Sequence, residues 1–123
     1  DEASLPKTVD DLKGKSLITI FGYNYAGVLK FLNDPANNIK TEPAKTHENA
    51  FKMLQVGRAP FVLDYREPAS DTLAKINIPG IKKSTIKVIP LYINISNKTP
   101  DAQALMDKLM KAYDELKAEG KIK

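Results

Sequence analysis

The chain has 123 residues, of which 42% are hydrophobic and 28% charged, a balance that fits one globular core and excludes a disordered tail or a collagen-like repeat. Its net charge of +4 comes from 19 basic and 15 acidic residues, but the lysines are spread out, and they lack the interleaved aromatics that mark a nucleic-acid surface. With no cysteine there is no disulfide frame, thiolate metal site or cysteine nucleophile, and no apolar run approaches the ~20 residues of a membrane span.

In chain order, "TVDDLKG" at residues 8–14 reads as one helical turn, capped by Thr8 and stopped by Gly14. Residues 16–21 are a mostly apolar strand, expected to be buried on both faces. A helix follows over 24–33, ended by Asp34-Pro35. Residues 38–42 form a short second strand, closed by Pro43. Thr46 caps a helix through Val56 with Gly57 as its stop, and Ala50, Phe51, Met53 and Leu54 supply its apolar face. A brief apolar strand over 61–63 runs into Asp64. A weaker helix then carries Pro68 in its first turn and reaches Ile76.

Residues 77–83 are a loop. Residues 85–95 are expected to be extended, as two strand pieces meeting at Pro90. The last helix has Thr99 as cap and Pro100 at its first position, and Gly120 closes it. Its stripe is Ala102, Leu105, Leu109, Ala112 and Leu116. Alternating strands and helices predict an α/β fold: three layers, a mostly parallel sheet with helices on both faces.

Ligands of such sheets sit beyond the carboxyl ends of the strands, where two loops carry chemistry. In the first, "GYNY", Gly22 lets the backbone approach a bound group and Asn24 suits a helix start, so main-chain donors there fit a carboxylate. The competing reading is a plain turn and a plain cap. In the second, Asp64 ends an apolar strand and suits an ammonium group; the competing reading is a solvated acid, or one paired with Arg66. Donors on one loop and negative charge on the other suit a zwitterion such as an amino acid. Spacing alone leaves these alternatives open.

Other chemistries are thin. "FVLDYREP" is similar to the phospho-acceptor strand of a receiver domain, but Gly22-Tyr23 stand where that site needs an acidic pair for Mg²⁺. His47 is the chain's one histidine and reads as a solvent-facing residue of a helix's first turn. No nucleophile-elbow, Walker or dinucleotide glycine pattern is present. Neither a metal nor another cofactor is expected.

Three segments together resemble the bacterial extracellular solute-binding proteins of the polar-amino-acid type (family 3). They are "VDDLKGKSLITIFGYNY", "THENAFKMLQVGRAPFVLDYREPA" and "IPLYINISNKTPDAQALMDKLMKAYDELKAEGKI", in the family's order over nearly the whole chain. The resemblance implies one lobe of a type II periplasmic-binding-protein fold. Residues 1–90 would be the second lobe, and 91–123 a hinge strand and helix returning to a first lobe outside this sequence. It implies Gly22, Tyr23 and Asn24 as donors to a ligand carboxylate and Asp64 as partner of the α-ammonium, with Tyr25 and Tyr65 as cleft walls. Asn24 stands where serine or threonine is usual, and Pro60 where many members have aspartate.

The function so implied is non-enzymatic: a periplasmic binding lobe for amino acids or similar small polar solutes, serving the membrane permease of an ABC importer, with no nucleic-acid partner. The alternatives are an extracellular sensor domain of a signalling receptor, or a fold-related enzyme with Glu67 as its local acid. The opening "DEASLP", without an initiator methionine, reads as a processed or cut end, and the chain as a fragment of a larger binder. The C-terminal stripe is expected to pack on the chain's own sheet or on another chain, by homo-oligomerisation or exchange of that helix.

Overall fold

Leu17, Ile18, Thr19 and Ile20 are all buried, which is possible only for a strand covered on both faces. That strand is β1 (Ser16–Ile20), the centre of a three-stranded parallel sheet. The computed structural model describes residues 5–122. On one side β1 pairs with β2 (Lys40–Ala44), in a register that sets Ser16 opposite Lys40 and Ile20 opposite Ala44. On the other it pairs with β3 (Phe61–Val62), with Leu17 opposite Phe61. Pro43 lies inside β2 rather than closing it, and β2 is an edge strand, where a missing N–H is tolerated.

Side chains alternate across a strand, so Leu17 and Ile18 point to opposite faces. Leu17 meets α1 (Val28–Leu32) in a cluster with Leu12, Tyr25, Val28 and Leu32. Ile18 and Ile20 meet α2 (His47–Gln55) through Ala50, with Ala44 and Ala59. Helices therefore cover both faces of the sheet, as the sequence predicts. Burying each of these leucines and isoleucines contributes ~1.5–3 kcal/mol. Thr46 caps α2 as expected, its hydroxyl accepting the N–H of Asn49 at 3.1 Å. The helix α3 (Arg66–Lys75) follows β3 directly.

Three local expectations are corrected. Between β1 and α1 there is no continuous helix from residue 24. Instead a single turn of 3-10 helix, Tyr25–Gly27, carries three successive positive φ angles of 52°, 51° and 89°. Asn24 imposes it: its side chain accepts the N–H of Ala26, and its carbonyl accepts those of Gly27 and Leu29.

Residues 85–95 join no strand ladder among the described residues. Up to Ile89 the segment is held by side chains: Arg66 Nη2 donates to Thr85 Oγ1 at 3.1 Å, Lys87 Nζ to the Ala26 carbonyl at 3.0 Å, and Ile86 packs against the cluster that contains Leu17. The last helix, α4 (Ala102–Ala118), starts after Asp101 in a left-handed conformation rather than on a Thr99 cap.

The chain divides into two compact units, Asp1–Ile89 and Pro90–Lys123. The sheet and α1 to α3 lie in the first, α4 in the second. No residue of α4 is buried, and Leu105, Leu109, Tyr113 and Leu116 remain 37–42% exposed along one stripe. No helix among the described residues is long and apolar enough to cross a membrane.

Candidate functional site

The strand order β2-β1-β3 creates a topological switch. From β1 the chain crosses through α1 to one neighbour, then through α2 to the other. The crevice outside the carboxyl ends of β1 and β3 is where open α/β sheets take ligands. Gly22 to Tyr25 follow β1, and Asp64 and Tyr65 follow β3, so both loops open on this crevice. The first turn of α2, which begins just after β2, lies at the same edge.

Gly22 turns the chain out of β1 with φ of 84°, a conformation that glycine adopts without a steric cost. The Tyr23 N–H closes the turn onto the Ile20 carbonyl at 3.2 Å. Among the described residues, the N–H groups of Gly22 and Asn24 meet no acceptor, which leaves them available to an anion. The Asn24 side chain is committed to Ala26.

Three tyrosines and a histidine form one aromatic group. The Tyr23 ring lies 5.8 Å from Tyr25 in an edge-to-face arrangement, 5.0 Å from Tyr65 and 5.6 Å from His47. Tyr25 and Tyr65 are 5.6 Å apart. Such contacts add ~0.5–1.5 kcal/mol each beyond area burial, so the group is stiff. Tyr25 is its buried member. Its hydroxyl accepts the Ile20 N–H at 2.6 Å and donates to the Leu63 carbonyl at 3.0 Å, spanning β1 and the end of β3. Burial pushes the Tyr25 hydroxyl up to about 12, the Ile20 N–H opposing and the charge of Asp64 adding to the rise. Tyr25 thus builds the floor of the rim, while Tyr23 and Tyr65 are partly exposed.

Asp64 has a side chain only 3% exposed. Its Oδ1 accepts the N–H of Tyr65 at 2.7 Å and its Oδ2 meets His47 Nδ1 at 2.7 Å. On the other side of the imidazole, Nε2 is 3.2 Å from the Tyr23 hydroxyl. A chain of side-chain contacts therefore joins the loop after β1 to the acid after β3, through the first turn of α2. Arg66 turns away to Thr85, so the local Arg66–Asp64 pairing weighed from the sequence does not form. Glu67 is exposed in the first turn of α3.

His47 is the residue that sequence reasoning misplaced. It is not a solvent-facing bystander, since its ring is hydrogen-bonded at both nitrogens and its side chain is 25% exposed. The signal was topological: a residue just past the cap of a helix that follows a parallel strand sits at the carboxyl edge of the sheet. Elsewhere, a groove of about 430 Å³ between the end of β2 and α2 has Lys45, Lys52 and Arg58 in its lining. Lys52 is already paired with Glu48 at 2.6 Å and Arg58 with Glu42 at 3.4 Å, and the groove holds none of the rim residues.

The parallel sheet and its flanking helices define a lobe of the periplasmic-binding-protein type. The chain is 30% identical over 118 residues to the probable amino-acid-binding protein YxeM of Bacillus subtilis (strain 168), a match that takes in 95% of this chain and 44% of that protein. An ancestral arginine-binding protein, solved with arginine bound, shares the fold. Its TM-score is 0.62 at 24% identity, over 93% of this chain and 50% of its own. No family model matches. The chain thus spans less than half the length of the curated relative it matches. The sequence kinship to an amino-acid-binding protein and the shared fold agree with the resemblance to the family 3 solute-binding proteins read from the sequence. Both matched proteins are named for binding rather than for catalysis.

Proposed function

We propose that this chain is the ligand-binding second lobe of a periplasmic solute-binding protein, which hands amino acids or similar small polar solutes to the membrane permease of an ABC importer. In this reading Asp64 takes the α-ammonium group. The free amides of Gly22 and Asn24 take the carboxylate, and Tyr23 and Tyr65 form the walls. The observation that carries it is the co-location, at one switch point, of a nearly buried carboxylate with amides that meet no acceptor among the described residues. A fixed anion beside free N–H groups is complementary to a small zwitterion and to few other solutes. The partly exposed stripe of α4 supports the further reading that Pro90–Lys123 packs against additional protein surface.

Two-lobed binders close on their ligand by hinge motion, so this chain alone is expected to bind weakly and the two-lobed protein tightly. Calorimetric titration with the twenty protein amino acids tests the reading. Heat from at least one of them, abolished in Asp64→Asn, is the expected result. Undiminished binding in that variant removes Asp64 from the site, and no heat from any of them contradicts the solute class.

A further inference from the structure

His47 plays no part in the recognition proposed above, yet it makes the closest side-chain contact of the acid on which that recognition depends. A carboxylate only accepts hydrogen bonds, so at 2.7 Å from Asp64 Oδ2 the His47 Nδ1 carries the proton. In the neutral ring Nε2 is then an acceptor, and it takes the Tyr23 hydroxyl at 3.2 Å. While the ring is neutral, this orders the three side chains by direction: Tyr23 donates to His47, and His47 donates to Asp64. The imidazole is 25% exposed and the carboxylate 3%, so the ring forms the outward side of the pair. The other oxygen, Oδ1, is held by the Tyr65 N–H at 2.7 Å.

We infer that His47 is an internal stand-in for the ligand's ammonium group, and so a specificity-determining residue of the site. It rests its Nδ1–H on the oxygen that a solute N–H would occupy, and a solute binds Asp64 by taking that contact over. The inference rests on the reading of Asp64 as the ammonium site. Its consequence is selection by charge. While the ring is neutral, a neutral solute donor only replaces one neutral donor on the carboxylate by another and gains little, whereas a cationic donor adds its own charge to the bond. The displaced ring keeps Tyr23 beside it, within the same aromatic group.

Because His47 is the only histidine, its ring nitrogens in the ¹⁵N-labelled chain report on it alone. The free chain is expected to show the Nδ1–H tautomer, and Asp64→Asn to lose that preference. An equimolar mixture of the twenty protein amino acids, unlabelled, is expected to release the ring from that tautomer, in step with shifts at the Gly22 and Asn24 amides. His47→Ala is expected to reach half-saturation at about tenfold lower mixture concentration, because the competing donor is gone. His47→Gln, which keeps a neutral donor, should fall between the two. The wild-type spectra need no variant that might lose its fold. Amide shifts that Asp64→Asn abolishes, with the imidazole unmoved, overturn the stand-in role and leave the function intact. Amide shifts that persist in Asp64→Asn, or their absence at every concentration, overturn the underlying reading and this inference with it.

Discussion

The hydroxyl of Tyr25 donates to the carbonyl of Leu63 at 3.0 Å, across the gap between the loop after β1 and the residue before Asp64. The same oxygen accepts the Ile20 N–H at 2.6 Å. One phenol thus fixes the spacing of the two loops that form the rim. Tyr25→Phe keeps the ring and strands both backbone groups in a buried place. It is expected to cost about 1–3 kcal/mol, the penalty of unpaired buried polar groups. Urea denaturation measures this, and an unchanged midpoint would show that water replaces the phenol.

The same residue gives the fold an alkaline limit. In the folded chain burial lifts the Tyr25 hydroxyl to about 12, whereas an unfolded tyrosine titrates near ~10. A raised value means that the unfolded state loses its proton first. The contribution of Tyr25 is therefore complete below pH ~10 and lost as the pH rises toward about 12. Wild-type stability should fall across that interval more steeply than that of Tyr25→Phe. Parallel curves would contradict the assignment.

Ala26 sits at φ 51° and ψ 50° in an exposed turn. A left-handed alanine is strained by roughly 1 kcal/mol relative to glycine. Ala26→Gly is expected to stabilise the chain by up to about 0.5 kcal/mol after the extra freedom of the unfolded glycine is subtracted. A loss of stability would mean that the Ala26 methyl makes contacts worth more than the strain.

Thr46→Ala removes the acceptor for the Asn49 N–H at the start of α2. A cost of about 1 kcal/mol follows from helix capping. Since His47 is the next residue, the same variant should broaden the His47 ring signals. Sharp, unshifted ring signals alongside the lost stability would show that Asp64 and Tyr23 hold the histidine without help from the helix start.

Much of the rim was legible in the sequence because it depends on order alone. An apolar run ending in Gly22 and another ending in Asp64 place both loops at one edge once the strands are parallel. What escaped depends on partners that a linear pattern does not name. Tyr25 reads as a helix residue by periodicity. It becomes a left-handed floor residue because Asn24 takes the N–H of Ala26 and the aromatic group takes its ring. Residues 85–95 have the β-branched content of strands, yet a strand exists only where a neighbour offers a ladder. Here side-chain bonds from Arg66 and Lys87 hold the segment's first part instead. His47 has no partner nearby in sequence, and its contact with Asp64 is made by the β2-to-β3 crossover.

The most direct test of the account is a calorimetric cycle on the two-lobed protein with the best-bound amino acid and its analogue lacking the α-amino group. One charge-assisted hydrogen bond at Asp64 predicts a preference of about 10- to 100-fold for the amino acid in the wild type. In Asp64→Asn that preference should shrink to near unity. A preference that survives the substitution would contradict the claim that this carboxylate receives the ammonium group.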